Sequence, residues 1–230
     1  YNISYTNAGL TINKANAYVI IGSGQSSTYG STPTITYTFN ANAAGTGNAI
    51  TTATTGTAVI TNAPSATSDA ATYSLTYASG LNSTNYSFNP AASAVNYVVN
   101  PVSLVVTGAN NSVAYNGSAQ TNSGATATVN GSAATVTGNT IATGIGSQTF
   151  TLAGYGSGTN ASGTPYADNL AATAGSGTTA GNYSISYNNG GLTIDKANAY
   201  VIIGSGQSST YGSTPTINYT FYNNANGTGG

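Results

Sequence analysis

"YVIIGSGQSSTYGSTPTITYTF", residues 18–39, joins a short apolar run to an alternating polar and apolar one. Its central phrase, GSGQSSTYGSTP at 22–33, returns unchanged at 204–215. The repetition is wider than this phrase, because the segments 1–48 and 183–230 are identical at 39 of 48 positions. Internal repetition on this scale indicates a repeat architecture. We therefore expect the chain to be a window on a longer array.

A weaker echo lies within this long period. "LVVTGANNSVAYNG" from Leu104 aligns with "YVIIGSGQSSTYG" from Tyr18, which returns in turn from Tyr200. The period is thus predicted to contain two related modules. The predicted boundaries are an end fragment at 1–13, a first module at 14–101, a second module at 102–196 and the start of another first-type module at 197–230.

Apolar residues alternate with Ser and Thr at a period of two, which predicts half-buried strands. The segments with this pattern are YSLTY at 73–77, YSISY at 183–187 and TITYTF at 34–39. Val19–Ile21 and Leu104–Val106 are continuous apolar runs, typical of strands covered on both faces. Residues 63–70 allow one helical turn. The predicted class is all-β, or nearly so, in small tandem modules of β-sandwich or β-grasp-like form.

Short joints connect the predicted modules. The segments LTINKANAYVII (10–21), YVVNPVSLVV (97–106) and LTIDKANAYVII (192–203) each place only a few residues between predicted strands. Pro101 stiffens the middle joint because its ring fixes φ and removes an N–H. We expect a semi-rigid, elongated rod.

Charged residues make up only 2% of the chain, against about 25% in ordinary domains. The lack of basic clusters argues against nucleic-acid binding, and no apolar run is long enough to span a bilayer. With no His, Cys or Glu, the sequence offers no nucleophile–base pair, so we expect no enzyme activity and no cofactor. The five charged residues are Lys14, Lys196, Asp69, Asp168 and Asp195.

Several phrases, in order, resemble the MBG repeat of the YGX type. These are VIIGSGQSSTYGSTPTITYTF, ATYSLTYASGLNSTNYSF and VNYVV, with the Tyr-Gly-x-x-x-Pro element at Tyr29, Gly30 and Pro33, and again at Tyr211, Gly212 and Pro215. The second module, with LVVTGANNSVAYNG, AGNYSISY and GLTI, resembles the related YDG repeat, with Tyr115, Asn116 and Gly117 at the Tyr-Asp-Gly position.

The resemblance implies a location and a set of partners. Such repeats are found in large bacterial surface and secreted proteins, often adhesins resembling filamentous haemagglutinins. They imply an extracellular or cell-surface array whose partners are other copies of the same repeat. They imply no catalytic residues.

For several polar residues the sequence is compatible with either a chemical role or a purely structural one. Asp168 with Asn169, or Asp69 with Ser68, could ligate calcium or simply form turns. Lys14 and Lys196 could form isopeptide bonds or be solvated joint residues. Asn-x-Ser/Thr sequences could carry sugars or arise by chance; they begin at Asn82, Asn85, Asn116, Asn130, Asn160 and Asn226.

Tyrosines are the main candidates for recognition. Tyr29, Tyr77, Tyr115 and Tyr187 are expected to pack at strand ends, with their hydroxyls bonded to the backbone. Tyr155 and Tyr222 lie in loop-like sequence and are candidates for a surface contact with a glycan or another surface.

Two function classes follow from the sequence. The first is a structural unit of a long extracellular fibre or adhesin stalk, with lateral self-assembly as a variant because the chain has almost no charge to protect sheet edges. The second is a repeated glycan- or surface-binding module that gains affinity by multivalency.

Overall fold

The computed structural model describes residues 1–228 and is all-β, as the alternation predicted. The described residues form 21 strands and one 3₁₀ turn, Ala180–Asn182. The strands are β1 Ala15–Ile21, β2 Ser26–Thr28, β3 Tyr37–Asn40, β4 Val59–Thr61, β5 Thr72–Ser79, β6 Tyr86–Pro90, β7 Val95–Asn100, β8 Val102–Gly108, β9 Asn110–Ala114, β10 Gln120–Thr121, β11 Ala125–Val129, β12 Ser132–Thr137, β13 Thr140–Ala142, β14 Thr149–Ala153, β15 Ser157–Gly158, β16 Tyr166–Ala167, β17 Ala171–Ala174, β18 Tyr183–Asn188, β19 Gly191–Asp195, β20 Tyr200–Ile203 and β21 Tyr219–Tyr222.

Six sheets contain these strands. Their orders are β3-β1-β6, β2-β7-β5-β4, β17-β14-β13-β12-β11-β8-β18, β16-β19-β9, β10-β15 and β20-β21. Several early strands pair in parallel with late ones, among them β1 with β6, β2 with β7, and β9 with β19. The β2–β7 and β9–β19 pairs occupy corresponding places in the two predicted modules. The internal echo in sequence is thus accompanied by an echo in strand pairing.

The chain divides into two compact units. The first contains residues 1–104, 145–147 and 177–184, and the second contains residues 105–144, 148–176 and 185 onward. The first unit therefore includes two short stretches from later in the chain. The predicted module boundaries stay predictions.

The core of the first unit is formed by residues from two sheets. Val19 of β1 and Tyr77 of β5 form a buried cluster with Leu81, and half-buried residues pack around it: Tyr37, Phe39, Ala58, Ile60 and Phe88. The Phe39 and Phe88 ring centroids are 4.8 Å apart. Such aromatic contacts add to the stabilisation from the buried apolar area.

Alternation in β1 decides which residues enter this core. Ala17, Val19 and Ile21 are buried, whereas Tyr18 and Ile20 between them are half-buried. β8 follows the same rule, with Leu104 and Val106 buried and Val105 half-buried between them. The expectation of strands fully covered on both faces is therefore too strong, because one face of each strand is only partly covered.

In the second unit, an antiparallel run of strands carries most of the apolar core. β11 pairs with β12, β12 with β13, β13 with β14, and β14 with β17. The side chains of Ile141, Phe150 and Leu152 are almost completely buried, as are those of Leu192 and Ile194 on β19. Buried and more exposed positions alternate along β14, as expected for a strand with one covered face.

The local predictions are confirmed for two segments, confirmed in part for a third and wrong for residues 63–70. YSLTY and YSISY form β5 and β18, as expected. TITYTF becomes a strand only from Tyr37, because the Gln25 side chain bonds both backbone groups of Thr36, at 2.6 Å to its N–H and 3.0 Å to its carbonyl oxygen. Residues 63–70 form turns and bends rather than a helical turn.

The joints also differ from one another. Pro101 alone separates β7 from β8, and the segment 196–199 separates β19 from β20. Residues 1–14 have no strand, although their sequence largely matches the segment that forms β18 and β19. A strand needs a partner for its backbone hydrogen bonds, and in the described structure this terminal segment has none.

Trypsin should distinguish the two lysine joints. Lys196 lies in unpaired backbone, whereas Ala15, directly after Lys14, begins β1 and donates its N–H to Asn85 O at 2.9 Å. Proteases need a locally open segment, so cleavage after Lys196 should precede cleavage after Lys14. A time course followed by intact mass should show the chain ending at Lys196 first and residues 15–196 second. Faster cleavage at Lys14 would contradict the assignment of these joints.

Candidate functional site

The Tyr-Gly turn that follows β2 is built into the first unit. The N–H of Tyr29 donates to Asn100 O at 2.9 Å, and that of Gly30 donates to Ala66 O at 3.0 Å. The Tyr29 ring is buried and meets Tyr183 edge to face, with centroids 5.8 Å apart. All these residues belong to the first unit. The turn therefore works as a packing element, not as an exposed motif.

Gly30 is required at its position for two reasons. Its φ is +85°, in the left-handed region that disfavours side chains. A Cβ there would also lie 2.6 Å from Cδ1 of Ile145, another residue of the first unit. Pro33, at the end of the Tyr-Gly-x-x-x-Pro element, is half-buried.

The corresponding turn in the second module is more open. Tyr115 is 41% exposed, and its N–H donates to Asp195 O at 2.8 Å. Gly117 has a φ of +82°. Asn116 Oδ1 accepts the N–H of Ser118 at 2.9 Å, so asparagine forms the side-chain turn that aspartate can form in a Tyr-Asp-Gly sequence.

The repeated phrase at 204–215 keeps its local geometry without its packing. Gly212 has a φ of +88°, and the N–H of Ser213 donates to Thr210 O at 3.1 Å, as Ser31 donates to Thr28 O at 3.0 Å in the first copy. Tyr211, however, is fully exposed and Pro215 is exposed. The turn is therefore local, whereas burial of the tyrosine depends on the rest of a module.

Several tyrosine hydroxyls bind the backbone, as the sequence predicted for Tyr77 and Tyr187. Tyr77 OH accepts the N–H of Leu81 at 3.1 Å, and Tyr187 OH accepts that of Ala172 at 2.8 Å. Two further hydroxyls donate to carbonyl oxygens, Tyr73 to Asp69 at 2.8 Å and Tyr166 to Asn160 at 2.9 Å.

The second unit contains a buried carboxylate, that of Asp168. Asp168 is 4% exposed. Its Oδ1 accepts from Asn122 Nδ2 at 2.9 Å and from the Gly156 N–H at 2.8 Å, and its Oδ2 accepts from Asn122 Nδ2 at 3.0 Å. A buried charge is tolerated when hydrogen bonds satisfy it. These donors are amides, so the carboxylate is held as a structural anchor.

Asn122 extends the anchor to neighbouring backbone. Its Nδ2 also donates to Ala109 O at 2.9 Å, and its Oδ1 accepts from Asn111 Nδ2 at 2.7 Å. Gly108 fits beside the pair only because it has no side chain: a Cβ there would lie 2.5 Å from Asp168 Oδ2. Sequence reasoning considered Asp168 with Asn169; the structure pairs it with Asn122, distant in sequence.

Tyr155 lies near this anchor, and its hydroxyl oxygen is buried with no hydrogen-bond partner among the described protein atoms. Desolvation by burial, and secondarily the nearby Asp168 charge, raise the pKa of the Tyr155 phenol above its ordinary value. The buried hydroxyl is not accessible to a surface ligand. Tyr222, the other candidate, is half-buried on β21. A role for either residue in surface contact stays a prediction.

Lys14, Asp69 and Asp195 each form a hydrogen bond with a residue distant in sequence. Lys14 Nζ is exposed and donates to Ser83 O at 2.7 Å, whereas an isopeptide bond would require a buried lysine. Asp69 Oδ1 accepts from Asn182 Nδ2 at 2.8 Å, and the Ser112 hydroxyl donates to Asp195. Across residues 1–228, no three His, Cys, Asp or Glu side chains come together, and no helix has the length and apolar character to cross a membrane.

Comparison with known proteins identifies no relative: no family model, no curated protein and no solved structure matches the chain.

Replacing Gly30 with Ala should destabilise the first unit. A left-handed non-glycine residue costs about 1–3 kcal/mol, and Ile145 must also move. Gly212→Ala is the matched control, since its φ is +88° but nothing lies within 4 Å of the added Cβ. Because both variants have the backbone strain and only Gly30→Ala displaces Ile145, thermal unfolding followed by tyrosine near-UV circular dichroism should show a larger decrease in transition temperature for Gly30→Ala than for Gly212→Ala. Equal shifts would contradict a packed role for Gly30.

Replacing Asp168 with Ala should destabilise the second unit more than Asp195→Ala. The first change leaves the buried Gly156 N–H without an acceptor, at about 1–3 kcal/mol, and removes the Asn122 Nδ2 bonds to the carboxylate while the Asn122 bond to Ala109 O remains. The Asp195 hydrogen bond is exposed, so its loss should change stability by less than about 0.5 kcal/mol. Urea unfolding measures both, and similar midpoints would rule out the anchor.

Proposed function

We propose that this chain is a structural repeat unit of a long extracellular bacterial fibre or adhesin stalk. The observation that carries the proposal is the recurrence of segment 1–48 at 183–230, with identity at 39 of 48 positions. A spacer requires the same unit many times, whereas a recognition site is usually needed once. The resemblance to MBG and YDG repeats points to the same class of protein.

The recurring segment reproduces its local structure in both copies. Gly24 and Gly206 have φ values of +70° and +71°. The Nε2 of Gln25 donates to Gly22 O at 2.8 Å, and that of Gln207 donates to Gly204 O at 2.7 Å. A loop that keeps its conformation with or without a covering module suits an array in which the same module recurs.

The joints support an elongated arrangement of small β modules as part of this proposal. One proline separates β7 from β8, and the segment 196–199 separates β19 from β20. Joints of this length limit how far consecutive modules can reorient, and proline limits it further. Tandem β modules linked in this way would form a semi-rigid rod.

The use of the charged residues supports a structural role over a chemical one. The Asp168 carboxylate is occupied by amide donors, and the Lys14 ammonium is bound to a backbone carbonyl. These partners are amide and backbone groups, which do not serve as a general acid or base. The chain uses these two charges to hold backbone in place.

One groove favours the alternative function, a glycan- or surface-binding module. In the first unit, Tyr37 and neighbouring apolar residues line a surface groove that includes Pro33, Ile35, Ile60 and Pro64. Tyr37 is half-buried, so part of its side chain faces solvent. Aromatic rings of this kind stack on the apolar faces of sugars.

Immunogold electron microscopy tests the structural role. Antibodies raised against the full chain should label cell-surface fibres at repeated intervals along their length in cells that express the protein. Label confined to the cell interior, or to the fibre tip, would contradict a stalk.

A glycan array of the full chain tests the alternative. Tyr37→Ala is the variant, and Tyr219→Ala, at the equivalent position of the second copy, is the matched control. Binding that Tyr37→Ala abolishes and Tyr219→Ala leaves intact would favour the binding module. A silent array favours the stalk.

A further inference from the structure

Four Asn-Gly pairs occur in the sequence, and they begin at Asn116, Asn130, Asn189 and Asn226. Asparagine followed by glycine is the pair in which an asparagine side chain most readily reacts with its own backbone. The reason is that glycine has no side chain to hinder attack by its nitrogen. The structure holds the first three pairs in different ways, so different rates of this reaction are expected.

The first pair lies in an exposed loop. Asn116 and Gly117 follow β9, which ends at Ala114, and precede β10, which begins at Gln120. Both residues of the pair are exposed. The Ser118 N–H donates to Asn116 Oδ1 at 2.9 Å. This bond folds the Asn116 side chain over its own backbone, on the side of the following residues.

The same hydrogen bond favours the reaction chemically. When the Gly117 nitrogen attacks Cγ of Asn116, negative charge develops on the side-chain oxygen. A backbone N–H directed at such an oxygen stabilises that charge, and the Ser118 N–H already occupies this place. The loop therefore provides the nucleophile, the electrophilic carbon and an oxyanion donor in consecutive residues.

The second pair is held in a tight hairpin. Asn130 and Gly131 connect β11 to β12 and have φ values of +49° and +78°. Positive φ at both central residues is typical of a two-residue hairpin turn. The reaction forms a ring that contains the Cα–C bond of the asparagine, so ring closure dictates its ψ. Because Val129 and Ser132 pair on either side of the turn, the reaction must distort the hairpin.

The third pair is held away from a reactive arrangement by contacts with other segments. Asn189 Oδ1 accepts the N–H of Leu170 at 3.1 Å. Gly190 is packed closely, since a Cβ there would lie 2.2 Å from Ala109 O. Its carbonyl oxygen accepts the N–H of Asp168 at 3.0 Å. Movement of the Gly190 nitrogen towards the Asn189 side chain would disturb these contacts.

We propose that Asn116 is a site of spontaneous covalent modification, at which the side-chain amide is converted to a carboxylate. The Gly117 nitrogen forms a bond to Cγ of Asn116, and the bond from Cγ to Nδ2 breaks. Nδ2 leaves as ammonia, with the proton that the Gly117 amide loses. Water then opens the cyclic imide at one of its two carbonyl carbons, which gives aspartate or isoaspartate. The inference goes beyond the proposed structural role and does not depend on it.

The modification gives the turn a charge. One neutral amide becomes one carboxylate, so the formal net charge of the chain changes from −1 to −2. The aspartate product keeps an oxygen for the Ser118 N–H and produces a Tyr-Asp-Gly turn. The isoaspartate product lengthens the main chain directly after Tyr115, whose N–H joins the loop to Asp195 O at 2.8 Å. The chain therefore acquires negative charge with time.

Incubation of the full chain in water labelled with heavy oxygen tests the proposal. Product formed during the incubation carries a labelled oxygen, which distinguishes it from aspartate present at the start. Pepsin digestion at acid pH, where the reaction is slow, followed by mass spectrometry measures each Asn-Gly pair separately. At neutral pH Asn116 should react at least about tenfold faster than Asn130 and Asn189, because its reacting atoms are better oriented. The rate should increase with pH, since the attacking nitrogen must lose its proton.

The same incubation in urea separates the effect of the fold from that of the sequence. In the unfolded chain the three pairs have the same Asn-Gly chemistry and should react at similar rates. Asn130 and Asn189 should therefore react faster in urea than in the native chain, whereas Asn116 should change little. Equal rates at the three pairs in the native chain, or a faster reaction at Asn130 or Asn189, would overturn the proposal.

Gly117→Ala and Gly131→Ala are matched variants of the full chain. The two glycines have φ values of +82° and +78°, and nothing lies within 4 Å of either added Cβ. Gly117→Ala should slow the reaction at Asn116 by about tenfold or more, because the methyl group hinders approach of the nitrogen. Gly131→Ala should leave the rate at Asn116 unchanged. Asn116→Gln keeps both glycines and should abolish the modification, since its ring would be larger. An unchanged rate in Gly117→Ala would contradict attack by the Gly117 nitrogen.

A sugar on Asn116 is the competing outcome. Asn116, Gly117 and Ser118 also form an Asn-x-Ser sequence, and a sugar would occupy Nδ2. Protein purified from cells that express it should contain aspartate and isoaspartate at position 116, in amounts that increase with the age of the culture. A sugar on Asn116, or an unmodified Asn116 in aged protein, would overturn the proposal.

Discussion

The first unit depends on the burial of the apolar face of β1 against residues of a second sheet. In β1, Val19 is completely buried beneath residues of another sheet, whereas the identical Val201 is more than half exposed. The loop that follows keeps its glycine conformations and its glutamine bonds in both places. Local sequence therefore sets the loop, and tertiary cover sets strand length and burial. β2 shows the same dependence, because it forms against β7 in the first copy and is missing from the second.

Because the chain has few charged residues, two of its carboxylates are hydrogen-bonded by amide groups and not by lysine or arginine. The buried Asp168 accepts a hydrogen bond from the Asn122 amide, and the buried Asn182 donates its amide to the exposed Asp69, so neither aspartate is paired with a lysine or arginine. A buried ion pair requires desolvation of two charges, and its attraction offsets that cost only with good geometry. An amide donor requires desolvation of one charge only. The chain thus builds rigid polar anchors from Asn, Gln and backbone N–H groups, whose bonds are little affected by salt.

The sequence predicted the strand class well and the long-range contacts poorly, for a physical reason. YSLTY became β5 because alternation is a local property, and the Tyr77 hydroxyl found its backbone partner nearby in the sequence, at Leu81. TITYTF lost its first half because Gln25 bonds Thr36, a contact that no periodicity reveals. The Asp168–Asn122 pair joins distant parts of the chain, and its one local signal is Gly108, which permits the close approach.

The loop of the recurring segment keeps its conformation in the packed copy and in the exposed one. The exposed Gly212 turn has nearly the same φ as the packed Gly30 turn. A preformed turn reduces the entropy that must be lost when a covering segment arrives. A turn that forms from its own sequence therefore favours packing of the same segment wherever it recurs along the chain.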